Sequence, residues 1–188
     1  MQSYDALVQS IMSLAPPLFI FGGFAEDVLL NGRVARPHSD LDILMYRDEV
    51  DLRLEQFAAL GFTDFEVWSM PRPGLPLVYH AASNGIDLEP SVFERDETGT
   101  CFVLDDREGR LNRVYLPDGA FDYPPIPVDG LHYRILSPLS LYQIRAAIEA
   151  LGVFGPLREK DIATQSLLRS RFLSHHDESA LRPRIVTL

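Results

Sequence analysis

Asp40 and Asp42 are the residues whose spacing could do chemistry. They stand in Asp40-Leu41-Asp42-Ile43-Leu44, where acid and hydrophobe alternate. On a strand, that period of two puts both acids on one face and Leu41 and Ile43 on the other. Carboxylates held a few ångströms apart repel each other unless a cation lies between them. The pair is therefore either a divalent-metal site or an exposed strand face. Upstream, the apolar run Leu18–Phe21 stops at Gly22-Gly23, a short amphipathic segment covers Phe24–Leu30, and a polar connection spans Asn31–Ser39.

Strand, glycine pair, helix, loop and Asp-x-Asp strand in this order resembles the signature of DNA polymerase β-type nucleotidyltransferases. Within that superfamily it is most similar to the lincosamide and aminoglycoside-2″ nucleotidyltransferases. The matching residues are Gly22-Gly23-Phe24, Asp27, Leu29, Gly32, Arg36, His38, Asp40, Leu41 and Asp42. Phe24 stands where those enzymes carry tryptophan. The resemblance spans Leu18–Phe93 and, more loosely, Leu136–Leu168. It implies transfer of a nucleoside monophosphate, AMP first, from ATP or another NTP to a hydroxyl of a small molecule such as an aminoglycoside or lincosamide. Mg²⁺, two ions in the expected arrangement, and a homodimer come with the same resemblance. Two rivals remain: an antitoxin-type enzyme modifying a protein or RNA partner, and a catalytically inactive nucleotide-binding module.

In-line attack on an anionic phosphate needs charge neutralisation and positioning more than covalent chemistry. Hard-oxygen ligands suit the metal. Asp40 and Asp42 supply two, and the resemblance points to Asp87 as the third, in Gly85-Ile86-Asp87-Leu88-Glu89-Pro90. Alternation puts Asp87 and Glu89 on one face. Asp87 is then metal ligand or general base, with Glu89 the base in the first case. Gly22 and Gly23 let the backbone and the following helix N-terminus approach a triphosphate. Arg36 is a phosphate clamp or a surface salt bridge; His38 and Ser39 lie in the same approach, with His38 read first as a structural residue holding the loop and second as a phosphate contact. Asp27 orients a loop or meets the acceptor. Lys160, the one lysine among 17 basic residues, lies in Arg158-Glu159-Lys160-Asp161-Ile162. This string is similar to the K-D-x-x-D helix of antibiotic nucleotidyltransferases, with Thr164 and Gln165 where the second Asp would fall; Lys160 is a phosphate-binding cation or a helix-surface charge. Trp68, Tyr79, His80 and Phe93 are aromatic candidates for an acceptor pocket, each read first as core or hairpin packing.

The elements that must position these groups follow from pattern. The spacing predicts helices over Tyr4–Leu14, Phe24–Leu30 and Arg47–Leu60, the last with Val50, Leu54, Phe57 and Leu60 on one stripe. Strands are predicted at Leu18–Phe21 and Asp40–Tyr46, and short β-runs between Phe62 and Leu116, with Asn84-Gly85 as a hairpin turn. Pro117–Asp129 reads as a surface loop, Tyr133–Leu136 as a last strand, Leu139–Leu151 and Leu157–Leu173 as helices, and the residues from His176 on as a frayed arm. The expected class is α+β: a mixed β-sheet flanked by helices over residues 1–136, with a C-terminal helical extension over 137–188. With 188 residues and 46% hydrophobic content the chain can build a core. A net charge of −10 argues against stable binding to DNA. One cysteine, Cys101, no transmembrane-length run and no signal-peptide pattern lead to a cytoplasmic expectation.

Overall fold

The computed structural model describes residues 4–70, 76–83, 85–107, 110–152 and 157–188. In chain order these form α1 (Tyr4–Met12), β1 (Phe19–Ile20), α2 (Gly22–Asn31), β2 (Asp40–Tyr46), a 3₁₀ turn at Arg47–Glu49 and α3 (Val50–Ala59). There follow β3 (Glu66–Ser69), β4 (Val78–Ser83), β5 (Ile86–Arg95), β6 (Cys101–Arg107), β7 (Arg110–Tyr115), β8 (Ile126–Val128) and β9 (Leu131–Tyr133). The chain ends with α4 (Pro138–Ala150), α5 (Glu159–Phe172), α6 (Glu178–Leu181) and β10 (Arg184–Thr187). This is an α+β protein with a mixed sheet flanked by helices.

One eight-stranded sheet organises the chain, in the order β1-β2-β5-β6-β7-β10, with β4 and then β3 branching from β5. The branch exists because β5 is long. Its first half pairs with β4, as Ser83↔Ile86 and Ala81↔Leu88, while its end pairs with β6, as Phe93↔Val103. β2 and β5 run parallel, with Asp40↔Asp87 and Asp42↔Glu89 in register. Leu41, Ile43 and Met45 of β2 and Ile86, Leu88 and Val92 of β5 are buried on the opposite face and join one hydrophobic core with Leu7, Ile11, Ile20 and Phe57.

Gly32 ends α2 as expected, in the left-handed conformation (φ 63°), its N–H bonded to the Val28 carbonyl. The glycine pair, expected as a turn before the helix, instead forms its first turn. On α3 the buried positions are Val50, Arg53 and Phe57. Arg53 is fully buried, a position at which the apolar stripe placed no charge. Its guanidinium donates to Glu49 at 2.7 Å, to Gln56 at 2.9 Å and to the Pro16 carbonyl at 2.8 Å, fastening α3 to the segment before β1. Pro117–Asp129 is more than a surface loop. It contains β8, and Phe121 packs on Phe19 (centroids 4.8 Å apart) and Phe93 (5.1 Å). The C-terminal residues are not frayed. β10 pairs with β7 through Val186↔Arg113 and its neighbours, and Gln143 on α4 donates to the Ala180 carbonyl at 2.7 Å. No helix among the described residues is long and apolar enough to cross a membrane.

Arg53→Ala is expected to cost about 2–3 kcal/mol, because it empties a buried volume and strands the Pro16 carbonyl. Urea unfolding at constant m-value checks this.

Candidate active site

The acid face of β2 grades from exposed at Asp40, through partly buried Asp42, to buried Leu44. On β5 the same face carries Asp87 and Glu89, both partly buried. The parallel register therefore sets the four carboxylates in two rows, Asp40 beside Asp87 and Asp42 beside Glu89. The hydrogen bond from Asp87 N–H to the Ser39 carbonyl, 2.7 Å, locks the entry of that ladder. Continued by one residue from Ala81↔Leu88, the β4 register lengthens the second row to His80, and β3 adds Glu66 opposite His80.

This crowding is visible in protonation. Burial first, then the charges of Glu89 and Asp40, raise the Asp42 carboxyl well above its ordinary value, and Arg145 offsets only part. Glu89 is raised by burial and by Asp40, with His80 acting in the other direction. Gly22 explains how Asp42 fits. Its backbone is left-handed (φ 67°), and a Cβ there would lie 2.0 Å from Asp42 Oδ2. The start of α2 is thus pressed against the acid pair. No side chain caps it, so its first N–H groups remain available to an anion. A Cβ on Gly23 would lie 3.1 Å from the exposed Arg36 guanidinium, which shares this end of the helix.

Asp27 is buried and holds the loop before β2. It accepts from Asn31 at 2.6 Å, from the Ala35 N–H at 2.8 Å and from His38 Nε2 at 3.0 Å. Burial pushes Asp27 up, but these bonds outweigh it and keep the carboxyl below its usual range. His38 is buried against Phe24, with ring centroids 5.2 Å apart, and its Nδ1 has no hydrogen-bond partner among the described residues. Ser39 is exposed beside Asp40. Lys160 is exposed in the first turn of α5 and makes no ion pair among the described residues.

A chain of ion pairs lies next to the acids that the sequence reading did not single out. Buried Glu26 on α2 accepts from Arg145 on α4 through both of its carboxylate oxygens, from Nε at 2.9 Å and from Nη2. Arg145 Nη1 reaches Asp161 on α5 at 2.8 Å, and Asp161 also accepts from Arg158 Nε at 2.7 Å. Arg158 remains largely exposed and lies within electrostatic reach of Asp40. Asp161 is the aspartate of the Lys160-Asp161 string, whereas Glu26, an acid inside an apolar helix, and Arg145 carry weaker signals. Trp68 and His80 stack in parallel, 4.0 Å apart and 10° between planes, with His80 Nε2 3.6 Å from Asp87 Oδ1.

Comparison with known proteins follows the same lines. Residues 5–136 match the aminoglycoside-2''-adenylyltransferase family. The chain belongs to that family and is a nucleotidyltransferase. Its fold is similar to that of ANT(2'')-Ia in complex with adenylyl-2''-tobramycin (TM-score 0.64, 18% identity, 93% of this chain and 90% of that one). It is also similar to the solution structure of ANT(2'')-Ia (0.62, 16%, 93% and 85%) and to lincomycin-bound LnuA, a lincosamide antibiotic adenylyltransferase (0.54, 18%, 81% and 85%). No curated protein matches the sequence. The family expected from the string Gly22 to Asp42 is the family found.

Among the described residues no three acids, histidines or cysteines already converge tightly enough to enclose an ion. The donor chemistry nevertheless fits a divalent cation. Asp40, Asp42, Asp87 and Glu89 offer hard oxygens on one face, and the charges of Glu89 and Asp40 raise the cost of ionising Asp42. Because the folded Asp42 holds its proton to higher pH than the unfolded chain, stability falls as pH rises from the ordinary carboxylate range through the raised value. Asp42→Asn is therefore expected to raise the Tm of metal-free protein at neutral pH, with the difference fading on acidification. Mg²⁺ should raise the Tm of the native chain more than that of the variant. Thermal melts in EDTA and in Mg²⁺ across pH check both.

Proposed function

We propose that this chain transfers AMP from ATP to a hydroxyl of a small, amine-bearing sugar compound of the aminoglycoside or lincosamide kind. The observation carrying this reading is the parallel register Asp40↔Asp87 and Asp42↔Glu89, with the uncapped start of α2 pressed against Asp42. Asp40, Asp42 and Asp87 would hold Mg²⁺, which when bound neutralises the triphosphate and polarises its α-phosphate. The N–H groups of the first turn of α2, with Arg36, are suited to the phosphate oxygens. Arg158, at the N-cap of α5, is a second cation near Lys160, its guanidinium engaged with Asp161.

The acceptor hydroxyl oxygen forms a bond to the α-phosphorus as the bond to the bridging α,β-oxygen breaks, and pyrophosphate departs. The hydroxyl proton needs an acceptor on the acid face. Glu89 suits that task, because burial and its acidic neighbours raise its affinity for a proton toward the working pH. Asp87 is then left as a ligand. The acidic face also complements a cationic acceptor. Asp27, occupied by its loop bonds, contributes by holding Ala35–His38 in place rather than by touching the acceptor.

Pyrophosphate release with Mg²⁺, ATP and a panel of aminoglycosides and lincosamides tests the reading. Release should require acceptor and vanish in Asp42→Ala. Glu89→Gln should lower kcat by about 10²–10⁴-fold while leaving the KM for ATP near its native value. Native-level release by Asp42→Ala, or none with any acceptor, refutes the assignment.

A further inference from the structure

Trp68 is the only tryptophan of the chain, and its side chain lies on the surface, 53% exposed, on the edge strand β3. The irregular pairing between Val67 and Ser69 lets it turn onto β4. There the indole lies flat on His80 and donates Nε1–H to Glu66 at 3.3 Å. Two anchors thus fix the orientation of a large aromatic that is not used to fill the core. The platform abuts the acids, since His80 is 3.6 Å from Asp87 and follows Glu89 in its row.

The two sides of the acid cluster differ in charge. Toward α2 and α5 stand Arg36, Arg145 and Arg158. Toward β4 and β3 the strand residues Val78–Ser83 and Glu66–Ser69 carry no lysine or arginine, and Glu66 joins Asp87 and Glu89. An anionic triphosphate fits the first side and a cation the second.

We propose that the Trp68–His80 stack is the floor of the acceptor subsite and takes the C–H face of a protonated amino-sugar ring, with its ammonium groups toward Glu66. This rests on the nucleotidyl-transfer reading above. A sugar ring presents apolar C–H bonds on one face, and ammonium groups are drawn to an indole face and to nearby carboxylates. The ring would then lie beside Asp87 and Glu89, where its hydroxyl must lose a proton.

Because Trp68 is the sole tryptophan, its fluorescence reports on the platform without any turnover. Tobramycin or lincomycin added to the full chain with Mg²⁺ should change that emission saturably, and Mg·ATP alone should not. Trp68→Ala should raise the KM for the amine about tenfold or more, with the KM for ATP within about twofold of native, and Trp68→Phe should recover most of the loss. An unchanged circular dichroism spectrum and Tm separate this from misfolding. Emission that answers Mg·ATP but neither amine, or an unaltered amine KM in Trp68→Ala, overturns the proposal. An amine-dependent signal without pyrophosphate release would keep the platform and defeat the transfer reading. Release with a silent Trp68 would do the reverse.

Discussion

The structure depends on a repulsion that the backbone enforces. Parallel pairing of β2 with β5 fixes Asp42 next to Glu89 and Asp40 next to Asp87, and the hydrogen-bond ladder leaves no freedom to slide them apart. A slip of one residue would turn Leu41 and Leu88 to the acid face and bury the carboxylates, so the apolar core on the other side holds the register against the electrostatic strain. The cost is visible in the raised Asp42 and Glu89 carboxyls. Arrangements of this kind, strongly perturbed groups on an accessible face, mark sites built for a ligand rather than for stability.

The helices complete what the sheet begins. α2 can press its first turn on Asp42 only because Gly22 has no side chain. Glu26, one turn on, fastens α2 to α4 through Arg145, and Arg145 passes the link to Asp161 on α5. Burial raises Glu26 despite its arginine, so this chain of charges is costly to keep and is poor evidence of stabilisation by itself. Its geometric result is clearer. It ties the start of α5, with Arg158 at its N-cap, to α4 and α2.

What the sequence disclosed was whatever local pattern determines. Period-two alternation located β2 to the residue, Gly32 stopped α2, and the turn before Ile86 joined β4 to β5 as Ser83↔Ile86. Asp40, Asp42, Asp87 and Glu89 share a face because alternation on each strand and the parallel register agree. Missed features depend on contacts distant in sequence. Buried Arg53 meets Glu49 and Gln56 within one turn but is tied to a carbonyl 37 positions away, and Glu26 meets a guanidinium 119 positions away, contacts that no window of neighbours contains. β10 was read as an arm because a short Arg-Ile-Val-Thr stretch becomes a strand only when β7 offers its edge. Phe121 sits in a proline- and aspartate-rich segment whose composition suggests solvent, yet its ring completes a cluster with Phe19 and Phe93.

Asp27 and His38 show how the motif residues divide their labour. Both lie in the string that resembles the family, but neither faces the acids. Asp27 gathers bonds from Asn31, Ala35, Arg36 and His38, so the connection from α2 to β2 is closed around one carboxylate. Nε2 of His38 meets Asp27 at 3.0 Å, and the other ring nitrogen has no hydrogen-bond partner among the described residues. The loop is braced by this carboxylate–imidazole contact, backed by Phe24. That brace sets where β2 begins. It also leaves Arg36, the loop residue nearest Gly23, with its backbone tied and its guanidinium exposed. The motif thus fixes the position of a cation beside the helix start by spending its other members on the scaffold.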